Sequence, residues 1–192
     1  MRSLKPTASS LLSLFLLACG APPEPDAAPT ASRGEALSSA TSAGCLFHVS
    51  SERKQGPMPP PLHIVVTRED VGGCEGGNGR VELGTTYDGA SLSLTASGSG
   101  VAVGFTHKST PSGSAAVSFQ LFHLEPRTLE VVRGTSLRAM NPFHAGYIFD
   151  GQLVLRGDGT TLEVRGSKSG TIPGEVGGGW NYVAVYPDFF SS

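Results

Sequence analysis

The chain has 192 residues, of which 14 are basic, 16 acidic and 26 glycine, and charged residues make up only 16%. So mild a charge balance, with no basic run longer than Arg53-Lys54, excludes an electrostatic nucleic-acid binder. The glycine-rich, charge-poor composition also argues against a helical domain.

Residues 1–18 read as an export segment. Arg2 and Lys5 give a basic start, Leu11 to Leu17 an apolar run, and Ala18 a small residue before Cys19. The apolar run falls far short of the roughly 20 residues that a membrane-spanning helix needs. Leu16-Leu17-Ala18-Cys19 resembles the lipobox of bacterial lipoproteins, a likeness confined to the first twenty residues. The resemblance implies a diacylglyceryl thioether on Cys19, cleavage before it, and acylation, typically with palmitate, of the new amino group. Several acyl chains, at roughly 0.8 kcal/mol per buried methylene, anchor a protein stably. Gly20 in the next position, in place of Asp, points to onward transport to the outer membrane of a bacterial cell envelope. Periplasmic and surface-facing placements both stay open.

Cleavage before Cys19 removes Arg2 and Lys5, so the 14 basic residues become 12 against 16 acidic ones, a formal charge of -4. It also leaves Cys45 and Cys74 as an even pair in an oxidising compartment. A Cys45–Cys74 disulfide is the expectation, worth roughly 3–4 kcal/mol in the chain-entropy account, with two unpaired buried thiols as the alternative. Residues 19–43 hold the lipidated cysteine and an Ala/Pro/Ser-rich stretch whose only large apolar side chain is Leu37. Such a stretch cannot offset its ordering entropy and reads as a disordered tether with a span of roughly 25–30 Å.

Residues 44–192 then read as one β-rich domain. Leu46 to Val49, Leu62 to Thr67, Arg80 to Leu83 and Ser91 to Thr95 are the first expected strands. Val101 to Phe105, Val117 to Leu121 and the pairs Leu129/Val131, Leu153/Leu155 and Leu162/Val164 continue the period of two, and Tyr182 to Tyr186 closes it. Asp88-Gly89, Gly98-Ser99-Gly100 and Gly157-Asp158-Gly159 supply turn chemistry, and the last joins Gln152–Arg156 to Thr160–Arg165 as the clearest hairpin. About ten short strands predict an all-β fold, an antiparallel β-sandwich, with a small β-barrel as the alternative. Pro57 to Pro61 reads as an edge or extended connection.

Chemistry is sparse. Arg156-Gly157-Asp158, an adhesion tripeptide elsewhere, is here good turn sequence. Gly77-Asn78-Gly79 lacks the third glycine of a phosphate-binding loop, since Glu82 stands there. Ser51/Lys54 and Lys168-Ser169-Gly170 are similar in spacing to elements of penicillin-binding enzymes, but Ser51 precedes a proline-rich loop and not a helix. His48, His63, His107, His123 and His144 are spread singly; a metal would need His63 and His107 to meet across strands, and no metal or cofactor is expected. Glu130, Asp150 and Glu163 give no spacing for a paired acid/base site.

One cluster stands out. Trp180, Tyr182, Tyr186, Phe189 and Phe190 crowd the C-terminus, and on a strand Trp180, Tyr182 and Tyr186 share one face while Val183 and Val185 share the other. With the valines inward, the aromatics form an exposed ligand-binding platform; with the aromatics inward, they close the core. The sequence therefore points to a non-enzymatic lipoprotein that binds a protein partner or joins an envelope assembly. The alternatives are a carbohydrate-binding module using Trp180, Tyr182 and Tyr186, and an envelope hydrolase or metal-dependent enzyme. Intact-mass and N-terminal peptide mass spectrometry of the mature protein tests the anchor. A thioether-linked diacylglycerol on Cys19 is expected, and an unmodified Cys19 would overturn the localisation.

Overall fold

The computed structural model describes residues 39–56, 58–87, 89–175 and 178–191. Cys19, the tether as far as residue 38, and Asp88 of the Asp88-Gly89 turn lie outside them. The chain divides into Met1–Gly34 and Glu35–Ser192, and every described residue belongs to the second unit.

The first sheet is an antiparallel meander of β1 (Ser39–Ser42), β2 (Cys45–Arg53), β3 (Leu62–Asp70) and β4 (Gly79–Thr86), in that order. Its first strand lies in the stretch assigned from sequence to the tether. Ala43 and Gly44 both take positive φ, the two-residue turn that folds Ser42 back onto Cys45. Ser42 Oγ then donates to Ser97 O at 2.6 Å, and Ala40 packs on the core. Small polar residues carry no alternation that sequence can register, so packing and that one buried hydroxyl decide the strand. The Cys45–Cys74 disulfide forms, with a Cα–Cα distance of 4.7 Å, and clamps the start of β2 to the loop after β3.

The second sheet contains β5 (Leu92–Ser97), β6 (Gly100–Lys108), β7 (Val117–Leu124), β8 (Val131–Leu137), β9 (Tyr147–Ile148), β10 (Gln152–Leu155), β11 (Leu162–Ser169) and β12 (Asn181–Tyr186). From β5 to β8 it is a plain antiparallel meander. The short β9 pairs in parallel with β7 through Val117 and Tyr147, and antiparallel with β11. It runs on along the same edge of β11 into β10, and the pairing shifts by one residue at Asp150-Gly151, a bulge. β12 takes the other edge of β11. The β10–β11 hairpin closes as its turn residues require: Gly159 N–H donates to Arg156 O, and Asp158 accepts from the Thr160 and Thr161 N–H groups. Those bonds hold the Asp158 carboxyl at about 2.

The described residues form an all-β fold and contain twelve strands. The eight-stranded sheet curls until β10 reaches β5, where Leu153 N–H donates to Ser93 Oγ at 2.9 Å. The four-stranded sheet covers its other side. One core lies inside the curl and contains Phe119, Leu121, Ile148, Leu153, Leu162, Val164, Tyr182 and Phe189. The second lies between the sheets and contains Phe47, Val49, Ile64, Val66, Leu94, Val101, Val103 and Phe105. Leu129, expected on a strand beside Val131, instead sits in a buried left-handed turn (φ 62). Leu129 N–H donates to Glu125 O and Glu125 N–H to Glu130 O, which tightens the β7–β8 connection.

Phe119 needs two glycines. A Cβ on Gly104 would come within 2.4 Å of its ring, and a Cβ on Gly151 within 2.3 Å. The ring thus seats where β6 and the bulge both lack side chains. Gly104→Ala should destabilise the domain by about 2–3 kcal/mol, lowering Tm by roughly 5–10 °C. Adding Phe119→Leu should recover part of that loss. Thermal melts of the two variants check both statements.

Candidate functional site

Strand β12 follows a glycine-rich connection whose end is fixed by one buried lysine. Lys168 on β11 points to the side of Leu162 and Val164 and is almost wholly covered. Its ammonium donates to Gly170 O and Gly179 O, each at 2.8 Å, and meets the Glu175 carboxylate at 3.0 Å. Three donors find three acceptors, which is what a buried ammonium requires. Lys168 also donates its main-chain N–H to Trp180 O at 2.8 Å. The Lys168 ammonium, and after it the Ile172 N–H, holds the Glu175 carboxyl below its ordinary range.

So placed, Trp180 stacks on Phe149, with ring centroids 5.1 Å apart and planes 20° apart. Phe149 in turn stacks on Tyr147 at 6.2 Å and 11°. Phe149 precedes the bulge, and its N–H donates to Ser167 O, so β9 and β12 deliver their rings from opposite edges of β11. Trp180 is 63% and Phe149 47% exposed. Met140 and Phe143 add exposed apolar surface at the same end, where Met140 bridges to Thr171 just beyond β11. A row of exposed rings, held by ladder hydrogen bonds and a buried ion pair, is a rigid apolar contact surface.

This surface differs from the one expected. Of Trp180, Tyr182 and Tyr186, only Trp180 is exposed. Tyr182 is 4% exposed and donates its hydroxyl to Asp150 O at 2.9 Å, and burial pushes its phenol well above the ordinary range. Tyr186 is half-buried against Phe189, edge to face at 6.1 Å. The period of two holds, but the aromatic side faces the core and Val183 and Val185 face out. Tyr147 and Phe149 were missed. Their signal was the alternation in Tyr147-Ile148-Phe149, shortened to two strand residues by the bulge.

The remaining candidates stand apart from one another. His63, on the first sheet, meets Glu82 through Nδ1 at 2.6 Å, and Lys54 meets the same carboxylate. Lys54 and then His63 hold Glu82 at about 2. His107, on the second sheet, bonds Thr85 O through Nδ1 at 2.8 Å. Glu163 is buried between Arg165 and Arg156, Asp150 accepts from Ser167 N–H and Oγ, and Glu130 is exposed before β8. Ser51 lies on β2 of the first sheet and Lys168 on β11 of the second, which separates the two serine–lysine-like elements. Among the described residues no three His, Cys, Asp or Glu side chains gather as metal ligands. A cavity of about 330 Å³ lies along the outer edge of β12, between it, Leu137 and the Ile172–Glu175 turn.

His123 on β7 is the one buried side chain whose ring nitrogens both lack a hydrogen-bond partner among the described residues. Gly100 lies against it, where a Cβ would approach within 2.2 Å, and Phe190 and Phe189 cover it at 5.3 and 5.9 Å. Sealed in this way it is a packing residue. Comparison with known protein families, with characterised proteins and with solved structures finds no match.

Desolvation pushes the His123 pKa below 6.5; the nearby Ser99 main chain, too poorly placed for a full hydrogen bond, opposes it, Arg133 lowers it further and Glu125 also opposes. The folded state therefore resists a proton that the unfolded chain accepts, and stability present above pH 6.5 is lost as pH falls through the folded-state value. Thermal melts between pH 7.5 and 5 should show that loss. His123→Leu should flatten it, and an identical pH slope in that variant would refute the assignment.

Proposed function

We propose that this chain is a membrane-anchored bacterial envelope lipoprotein whose β domain is a non-enzymatic binding module. It holds a protein partner on the Tyr147–Phe149–Trp180 stack. The observation that carries this reading is the exposure of Trp180 and Phe149 on a fixed backbone. Phe149 lies between the other two rings, which leaves the outer sides of Trp180 and of the half-buried Tyr147 as the open faces. Sugar binding by stacking uses ring faces, so a polysaccharide would find little more than one ring. Protein interfaces instead gather Trp, Tyr, Phe and Met, and Met140 and Phe143 are also exposed at this end of β11. The non-enzymatic part of the reading is supported by the carboxylates themselves. Glu163, Glu82, Glu175 and Asp158 are each engaged by cations or turn N–H groups, which leaves them poor general acids. The lipid anchor rests on the Leu16-Leu17-Ala18-Cys19 likeness.

The test is affinity capture by the full lipidated chain from crosslinked, detergent-solubilised envelopes. A protein retained by the wild type should be lost with Trp180→Ala and Phe149→Ala, and kept with Val154→Ala on the same sheet. Removal of a central aromatic anchor should weaken binding of the purified partner by about 30-fold or more. Capture indifferent to both aromatic substitutions, or retention of glycan alone, would sink the reading.

A further inference from the structure

From the free edge of β12 we infer that the domain pairs with a second copy of itself, β12 against β12, in antiparallel register centred on Ala184. Four observations carry it. Among the described residues β12 pairs with β11 alone, and a cavity, not a strand, lies beside its other edge, with Leu137 and the Ile172–Glu175 turn across it. Its main-chain polarity is fixed. Because Lys168 N–H donates to Trp180 O, the groups of Trp180, Tyr182, Ala184 and Tyr186 turn toward β11. Those of Asn181, Val183 and Val185 therefore point away from β11 and meet no strand among the described residues. The strand carries no charge and no proline between Asn181 and Tyr186, although a free edge is commonly guarded by such residues. The edge strand β4, by contrast, carries Arg80 and Glu82, and β8 carries Arg133.

The fourth observation selects the occupant. Tyr182-Val183-Ala184-Val185-Tyr186 reads the same in both directions. Two such strands related by a two-fold axis at Ala184 place Val183 opposite Val185 of the second copy. Both residues have outward main-chain groups, so each such pair exchanges both of its hydrogen bonds. Ala184 opposes its own equivalent as a non-bonded pair, which agrees with its main chain facing β11. The outward valines, 61% and 45% exposed, cover one another as β-branched cross-strand pairs. Pro187 ends the ladder, since it has no N–H to offer. A foreign peptide would satisfy the same main-chain groups, but nothing in the strand selects one. Self-complementarity of side chain, charge and hydrogen-bond phase selects a second copy.

The register is read by disulfide trapping in the full-length chain, in membranes, on non-reducing gels. Ala184→Cys brings the two Cβ atoms to roughly 4.5–5.5 Å and should give a covalent dimer far above the unsubstituted chain. Val183→Cys should not, because in this register it faces Val185. Adding Val183→Lys and Val185→Lys to Ala184→Cys sets like charges opposite and should cut the dimer at least tenfold. Val183→Lys with Val185→Glu sets opposite charges opposite and should restore it. Thermal melts confirm that each variant folds. Ala184→Cys that yields no dimer beyond background, Val183→Cys that crosslinks equally well, or a dimer indifferent to the paired lysines would each overturn the inference.

Discussion

Strand β6 must satisfy two cores at once. Val101, Val103 and Phe105 pack between the sheets, while Ala102 and the bare Gly104 face the interior of the curl. Residues of opposite parity on one strand therefore serve different neighbours, and neither set is free to be polar. That demand produces the near-continuous apolar run from Val101 to Phe105, and it ties the two sheets into one folding unit. It also sets the size of the side chains. Val, Ala and Gly alternate because the large volume inside the curl comes from Phe119, which needs the space above Gly104 and Gly151. Shifting β6 by one residue would exchange the two sets and drive Val103 or Phe105 into that ring.

Two buried cations, Arg68 and Lys168, are then used inside the fold to hold loops. Arg68 is buried with no carboxylate partner among the described residues, and its guanidinium donates to the carbonyls of Gly76, Gly77, Pro126 and Arg127. A planar fork with five donors can reach two loops at once, so the glycine-rich turn after β3 and the β7–β8 connection share one anchor. Gly76 is required there, since a Cβ would come within 2.4 Å of the guanidinium. Lys168 does the same for the connection before Trp180. The glycines that resembled a phosphate-binding start are thus explained by main-chain carbonyls gathered around an arginine.

Much of this architecture was legible because burial imposes a period of two. Val117 to Leu121 and the Leu153/Leu155–Leu162/Val164 hairpin follow it, Leu62 to Thr67 departs from it where Val65 is buried with Ile64 and Val66, and the turn chemistry of Asp158-Gly159 matches the hairpin. The cysteine pair was legible through parity once Cys19 was set aside. What was not legible shares one cause, which is contacts made across the chain by residues with no local pattern. β1 is Ser-Ala-Thr-Ser and depends on Ser97 O, fifty-five residues away. Nothing local marks Arg68 and Lys168 as buried cations, because most of their partners are carbonyls that any sequence carries. Tyr147 and Phe149 needed Trp180 from the far side of β11 before they formed a surface.

The face of β12 shows the limit most clearly. Period two says which side chains share a side, but both sides of Tyr182 to Tyr186 are apolar, so hydrophobicity alone cannot say which is inside. The choice is made by volume and by one hydroxyl. Tyr182 fits above Gly166, where a Cβ would meet its ring at 2.9 Å, and its hydroxyl reaches the Asp150 carbonyl exposed by the bulge. A valine in that place would leave both the space and the carbonyl unfilled. Turning the tyrosines inward obliges Val183 and Val185 to face out, on an edge that no other strand pairs with among the described residues. The bulge that provides an acceptor for Tyr182 also ends β9 at Ile148 and sets Phe149 outward against Trp180. A single irregularity at Asp150-Gly151 therefore governs which aromatics are core, which are surface, and why two short valines are left on the open edge.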